Sequence, residues 1–178
     1  MRLVRTSDHR QVPWRNGRGT TLEIAVAPPG ATFDTGFRWR LSAAAVTEDG
    51  PFSAFPGLVR TLVLLEGERL ELDIDAERVV LGQRFDVARF SGGATTVGRV
   101  PAGPVRDLNL MVDARIPHAA AVERGGGTLR RRAGVEHLLV PLDGQMFVGG
   151  IALAPLELAV VDEGAWRATG AVLVATVG

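Results

Sequence analysis

Arg60 opens the run Arg60-Thr61-Leu62-Val63-Leu64-Leu65, just after the turn Pro56-Gly57. A planar guanidinium at the mouth of an apolar strand can hold both oxygens of a carboxylate at once. It can equally pair with a nearby acid and close the end of a barrel, and the strand alone leaves both roles open. In Arg38-Trp39-Arg40-Leu41-Ser42-Ala43, alternation puts Arg38, Arg40 and Ser42 on one face and Trp39, Leu41 and Ala43 on the other. In Arg106-Asp107-Leu108-Asn109-Leu110-Met111, Asp107 and Asn109 share a face with Met111, and Arg106 lies opposite with Leu108 and Leu110. Asp and Asn are poor strand formers. Two of them alternating within a strand point either to an inward polar face with fixed partners or to an exposed edge. Finally, Pro13-Trp14-Arg15-Asn16-Gly17-Arg18-Gly19-Thr20 is a compact loop. Its glycines allow close backbone approach, Trp14 offers a flat apolar wall, and Asn16 offers a donor and an acceptor. A purely structural turn accounts for the loop as well.

Other chemistries find little support. His9, His118 and His137 are far apart and show no His-X-His or His-X-X-X-His spacing, so no metal is expected. The chain has no Cys, which removes thiol nucleophiles, Cys-ligated metals and disulfides. All 20 basic residues are Arg, so neither a lysine Schiff base nor a Walker A loop can form. Ser42, Ser53 and Ser91 lack a nucleophile-elbow context. Glu71, Asp73 and Asp75 alternate along one solvated strand face, and Arg130-Arg131-Arg132 reads as a solvated loop. The 20 acidic residues balance the basic ones, which argues against nucleic acid or an anionic membrane as partner. Met1 to Arg10 is mixed and charged rather than a signal peptide, and no apolar run approaches the roughly 18 residues of a membrane span. The expectation is a soluble, cytoplasmic protein.

These residues need strands to position them. The 22 Gly and 10 Pro are spread along the 178 residues, and short apolar runs lie between them, as in an all-β sandwich or barrel. The predicted strands are 20–26, 37–44, 60–65, 69–74, 86–90, 107–112, 136–141, 146–148, 157–161 and 171–176. Residues Ala119–Arg124 are read as one helical turn, stopped by Gly125-Gly126-Gly127. The chain also repeats. Leu62–Gly67 resembles Leu138–Gly144, Phe85–Gly92 resembles Leu156–Gly164, and Leu108–Val112 resembles Val172–Thr176. This divides the chain into an N-terminal half, 1–116, a Gly- and Arg-rich connector, 117–134, and a C-terminal half, 135–178, to which the N-terminal segment can contribute strands. Two such halves suggest paired small barrels packed face to face.

The loop 13–20 followed by Glu23-Ile24 is similar to the opening signature of the HutD/Ves family. So are Phe37–Ala43, Asp49-Gly50-Pro51-Phe52-Ser53, Phe55-Pro56-Gly57 with Arg60-Thr61-Leu62, and Gly103-Pro104 with Arg106–Met111. The blocks stand in the family's order over residues 13–112, and the second half is similar only in its repeat pattern. The resemblance implies a bicupin, two RmlC-like jelly-roll barrels in one chain, with a metal-free pocket and no cofactor. It implies no established enzymatic activity. Some family members lie with histidine-utilisation genes and are thought to sense or limit an intermediate such as N-formyl-glutamate, and others are linked to stress responses. Three positions depart from the family pattern: Arg15 for the usual Lys, Arg18 for the usual Gly, and Val59 where many members carry Asp.

The sequence therefore favours a non-enzymatic, metal-free bicupin that binds a small anionic metabolite, as a monomer or homodimer. Arg60 clamps the carboxylate with help from Arg40. Trp14 and Phe52 wall the apolar part, Asn16 and Asn109 give directional hydrogen bonds, and Ser42, Arg106 and Asp107 support, with Asp107 holding an Arg. The alternative is a metal-independent isomerase or lyase acting on a small carboxylate. Proton transfer needs a group titrating near neutrality, and the quoted blocks contain no His. A third reading, a regulatory protein whose halves serve protein contacts, calls for an exposed apolar patch and no polar pocket.

Overall fold

The computed structural model describes residues 1–13 and 19–178. The loop residues Trp14, Arg15, Asn16 and Arg18 lie outside the described residues. In chain order the strands begin with β1 (Arg2–Val4), β2 (Arg10–Pro13), β3 (Thr20–Ala27), β4 (Trp39–Val46), β5 (Gly50–Pro51) and β6 (Leu58–Glu66). They continue with β7 (Leu70–Ile74), β8 (Glu77–Leu81), β9 (Val87–Ser91), β10 (Thr96–Arg99), β11 (Val105–Asp113) and β12 (His118–Leu129). They end with β13 (Glu136–Pro141), β14 (Met146–Val148), β15 (Ile151–Leu153), β16 (Leu158–Val161) and β17 (Gly164–Val177). A single 3-10 turn spans Thr6–Asp8, and among the described residues no helix is long and apolar enough to cross a membrane. The all-β expectation holds.

The chain forms two compact units, residues 10–115 and residues 1–9 with 116–178. In the first, an antiparallel sheet runs β2-β3-β4-β11-β6-β9 and a smaller one runs β5-β10-β7-β8. Their inner faces share one core. Leu62, Leu64, Ala88 and Phe90 come from the larger sheet, and Leu70, Leu72 and Leu81 from the smaller. On β7 the alternation is clean: Leu70 and Leu72 are buried, while Glu71 and Asp73 pair outside with Arg69, Arg78 and Arg99. Both faces of the larger sheet are buried at its centre, since Trp39, Leu41, Leu108, Leu110 and Val63 on the other face are also buried. That is why Leu62-Val63-Leu64-Leu65 of β6 reads as a continuous hydrophobic run.

The second unit is one sheet, β1-β16-β13-β17-β14-β15, with β12 on β17. Its core cluster is hydrocarbon: Leu139, Met146, Val148, Leu153, Ala159, Val161, Trp166, Val172 and Val174. Residues Ala119–Arg124 are strand, not a helical turn, because they lie within β12 and pair with β17 from Ala119↔Thr176 to Arg124↔Ala171. The run alternates half-buried and exposed positions, a period of two that Ala-rich composition hides. The register shifts between Arg124 and Gly126, where Gly125 takes φ +82°. A bulge with a left-handed residue suits glycine. Thus most of the stretch expected as a connector is a paired strand.

Candidate functional site

Residues opposite each other in neighbouring strands point to the same face of a sheet. Across the larger sheet of residues 10–115, one row runs Val26 (β3), Arg40 (β4), Met111 (β11), Arg60 (β6), Phe90 (β9). The next runs Glu23, Ser42, Asn109, Leu62, Ala88, and the third Thr21, Ala44, Asp107, Leu64. Leu62, Leu64, Ala88 and Phe90 belong to the core between the two sheets. Arg40, Ser42, Arg60, Asp107 and Asn109 therefore share the interior face of this barrel. Strand alternation picks the face, and cross-strand register brings the five together.

Arg60 is 5% exposed. Its guanidinium carbon lies 5.2 Å from the ring centres of Phe52 and Phe90 and 5.8 Å from that of Phe55. Such contacts contribute roughly 0.5–2 kcal/mol each when desolvated. The Asn109 amide, with its oxygen turned to Arg60, accepts from Nη2 and, at 3.3 Å, from Nε. Among the described residues no carboxylate is within ion-pair distance of this guanidinium. Burial lowers the Arg60 pKa to about 10 while the field of Asp107 raises it, so the group stays cationic at neutral pH. Phe52 is fixed from behind by Gly98 of β10: a methyl group added there would meet the ring at 2.5 Å.

Arg40 is differently placed. Its Nε donates to Glu23 Oε2 at 2.7 Å, its Nη1 reaches Ser42 Oγ at 3.4 Å, and Phe33 lies 5.3 Å from it. Its charge is already compensated. Asp107 is 3% exposed, and no described residue hydrogen-bonds its carboxyl. Burial pushes its pKa up to about 7, and the Arg60 cation only partly offsets this. The sequence expectation that Asp107 holds an arginine reduces to this field, without a direct bond.

The remaining expected residues lie elsewhere. Arg106 is half-buried and pairs with Glu66 at 3.4 Å, away from the interior row. Val59 pairs with Ser91 and Val112 on the opposite face from Arg60, so side chains at that position point away from the guanidinium. Trp14 and Asn16 lie outside the described residues. Sequence reading missed Phe55 and Phe90 around Arg60, and Glu23 on Arg40. Phe90 was findable, since Val87-Ala88-Arg89-Phe90 alternates with Ala88 and Phe90 inward. It also missed that an aspartate, not a histidine, titrates near neutrality here. An open cleft of about 810 Å³ in the same unit, lined by Phe33, Phe37, Arg38, Phe55 and Arg115 among others, holds none of the interior polar residues.

The comparisons with known proteins fit this architecture. The HutD family model matches residues 6–175. An uncharacterized 21.2 kDa protein from the hutC 3' region of Pseudomonas putida is 37% identical over 111 residues, 62% of this chain and 57% of that protein. Protein Ves of Escherichia fergusonii is 46% identical over 109 residues, 58% of this chain and 55% of that protein. The matches thus span little more than half the length of these curated relatives. The structure of HutD from Pseudomonas fluorescens SBW25, in a formate condition, superposes with a TM-score of 0.86 at 27% identity, covering 99% of this chain and 97% of that one. A cupin 2 conserved barrel domain protein from Leptotrichia buccalis shares the fold alone, at TM-score 0.55 and 12% identity over 93% of this chain and 91% of that one. With its cupin fold and a family match over nearly its whole length, the chain belongs to the HutD family.

Proposed function

We propose that the barrel of residues 10–115 binds a small carboxylate metabolite, of the N-formyl-glutamate kind, as a sensor or sequestering protein in histidine utilisation or stress response. The observation that carries this reading is the uncompensated cation. Arg60 is buried among three phenylalanines and one amide, with no counter-ion among the described residues. A buried charge is costly unless paired, and an incoming carboxylate supplies the pair. In this reading Arg60 clamps the carboxylate and Asn109 holds the fork in place. Arg40, its charge compensated by Glu23, offers a further hydrogen-bond donor beside Ser42. Phe52 walls the apolar part. The HutD and hutC-region relatives supply the link to histidine utilisation.

The test is calorimetry and thermal shift with N-formyl-glutamate, formate, glutamate, urocanate and glutarate. Ligand at 100 times its Kd adds about 2.7 kcal/mol and raises the melting midpoint by roughly 5–10 °C. Arg60→Ala is expected to weaken binding at least about tenfold, equivalent to roughly 1.4 kcal/mol. A flat response across the panel, or unchanged affinity in the variant, rejects the reading. The isomerase or lyase alternative draws on Asp107, a buried carboxyl that titrates at about 7 within the same interior. Its test is solvent deuterium incorporation into a bound carboxylate, lost in Asp107→Asn.

A further inference from the structure

Asp107 is the group that anion binding at Arg60 leaves unexplained. It stands on the interior face of β11, level with Ala44 of β4 and Leu64 of β6 and two residues before Asn109. A buried carboxylate ordinarily keeps its charge by accepting hydrogen bonds. Glu157, buried in the other unit, does so from Arg5 and from the Ala154 amide. Asp107 accepts none from the described residues, although it is 3% exposed.

Among the described residues the charged groups around it are few. On β6 stands Arg60, held by Asn109 and three rings, beyond ion-pair reach of Asp107. On β4 and β3 stand Arg40 and Glu23, closed on each other at 2.7 Å. The smaller sheet contributes Leu70, Leu72 and Leu81 to this interior, and Glu71 and Asp73 are paired on its outer face. β9 contributes Ala88 and Phe90. Among the described residues only Arg60 favours the ionised form of Asp107, and an anion seated on Arg60 cancels that field. Two negative charges would then face one positive in a water-poor cup, so one of them is left uncompensated and the two repel each other. A protonated Asp107 removes the repulsion and also becomes a donor to an anion oxygen.

We propose that this interior takes up its carboxylate together with one proton, which Asp107 captures from the solvent as the anion seats on Arg60. The inference rests on the binding reading above. It makes the barrel respond to the product of metabolite and proton concentrations. The free carboxyl already titrates at about 7, because burial raises it more than Arg60 lowers it. Below that pH the proton is in place before the anion arrives. Above it the proton must come with the ligand, and affinity falls tenfold per pH unit.

The experiment is calorimetry of the full chain with N-formyl-glutamate, formate and glutarate, each ionised throughout pH 6–8.5. Buffers of different ionisation enthalpy then report the protons taken up per anion bound. Close to one proton is expected at pH 8 and close to none at pH 6, with about tenfold weaker binding at pH 8.5 than at 7.5. Asp107→Asn is expected to abolish the uptake and to bind at pH 8 as the wild type does at pH 6. The wild-type proton count stands whether or not the variant folds. Binding that needs Arg60 but takes up no proton at pH 8, releases one, or takes one up unchanged in Asp107→Asn overturns the coupling and leaves the binding reading intact. Binding indifferent to Arg60→Ala, or no binding by any probe, overturns both.

Discussion

Both units are built of antiparallel strands around an apolar core, but only the unit of residues 10–115 adds charged side chains whose demands its described residues leave open. The unit of residues 1–9 and 116–178 packs Leu139, Met146, Val148, Trp166, Val172 and Val174 into its core. Its buried His137 and Glu157 are both satisfied: His137 contacts Thr176 Oγ1 and the Arg130 carbonyl, and Glu157 accepts from Arg5 and the Ala154 amide. The unit of residues 10–115 places Arg60 and Asp107 inside, one without a counter-ion and the other without a hydrogen bond among the described residues. One interior is closed by dispersion and hydrocarbon burial. The other is left with electrostatic demands that its own residues do not meet. The difference lies in side-chain chemistry within two all-β units, which is why function has to be argued from the site rather than from the fold.

The comparison can be broken at four places. Leu139→Asp, in the filled core, removes a fully buried side chain and strands a carboxyl in hydrocarbon. It is expected to cost at least about 4 kcal/mol or to prevent folding, as read by urea denaturation. Asp107→Asn, in the polar core, is expected to stabilise. Its carboxyl has a folded pKa of about 7, above the ordinary value near 3.8, so the folded state binds the extra proton between those limits. Stability from this group is present at acidic pH and is lost as pH rises through 7. The variant should gain on the order of 2 kcal/mol at pH 8 and nothing near pH 4, in melting curves across pH.

Arg60→Leu sharpens the contrast further by making the second interior resemble the first. Ligand affinity should fall at least about tenfold, near 1.4 kcal/mol, while the fold keeps or gains stability because an uncompensated cation has been removed. Glu157→Gln has the smallest expected effect, about 1 kcal/mol at pH 7. Burial pushes the Glu157 carboxyl up, but the hydrogen bonds from Ala154, Arg5 and Thr6 together hold it below the usual glutamate value. Its contribution is therefore present above the unfolded pKa and lost as pH falls through the folded one. That is the reverse of Asp107, and opposite pH slopes for the two variants would establish the contrast between the units.

Much of this was legible in the residues. Strands 136–141 and 146–148 match the structure end to end, and most of the others differ by a few residues at their ends. Short or polar strands such as β8, β10 and β15 went unread, because pairing rather than composition makes them strands. β12 was misjudged for the same reason. Its Ala, Glu and Arg residues suit a helix, and its long pairing with β17 overrides that preference. At the site, alternation put Arg40 with Ser42 and Asp107 with Asn109. It could not say that Arg60 and Arg40 flank Met111 in one row, or that Glu23 sits beside Ser42 to take up the Arg40 charge.

The sequence by itself determined the all-β class, the turns, the family and the face on which each polar side chain stands, because these follow from local composition and a period of two. Only the tertiary structure decided that five polar side chains from three strands meet inside one barrel, that three phenylalanines surround Arg60, and that an ordinary aspartate titrates near neutrality. Those properties depend on register between distant strands and on how much water their packing removes, and neither is encoded in any short stretch of chain.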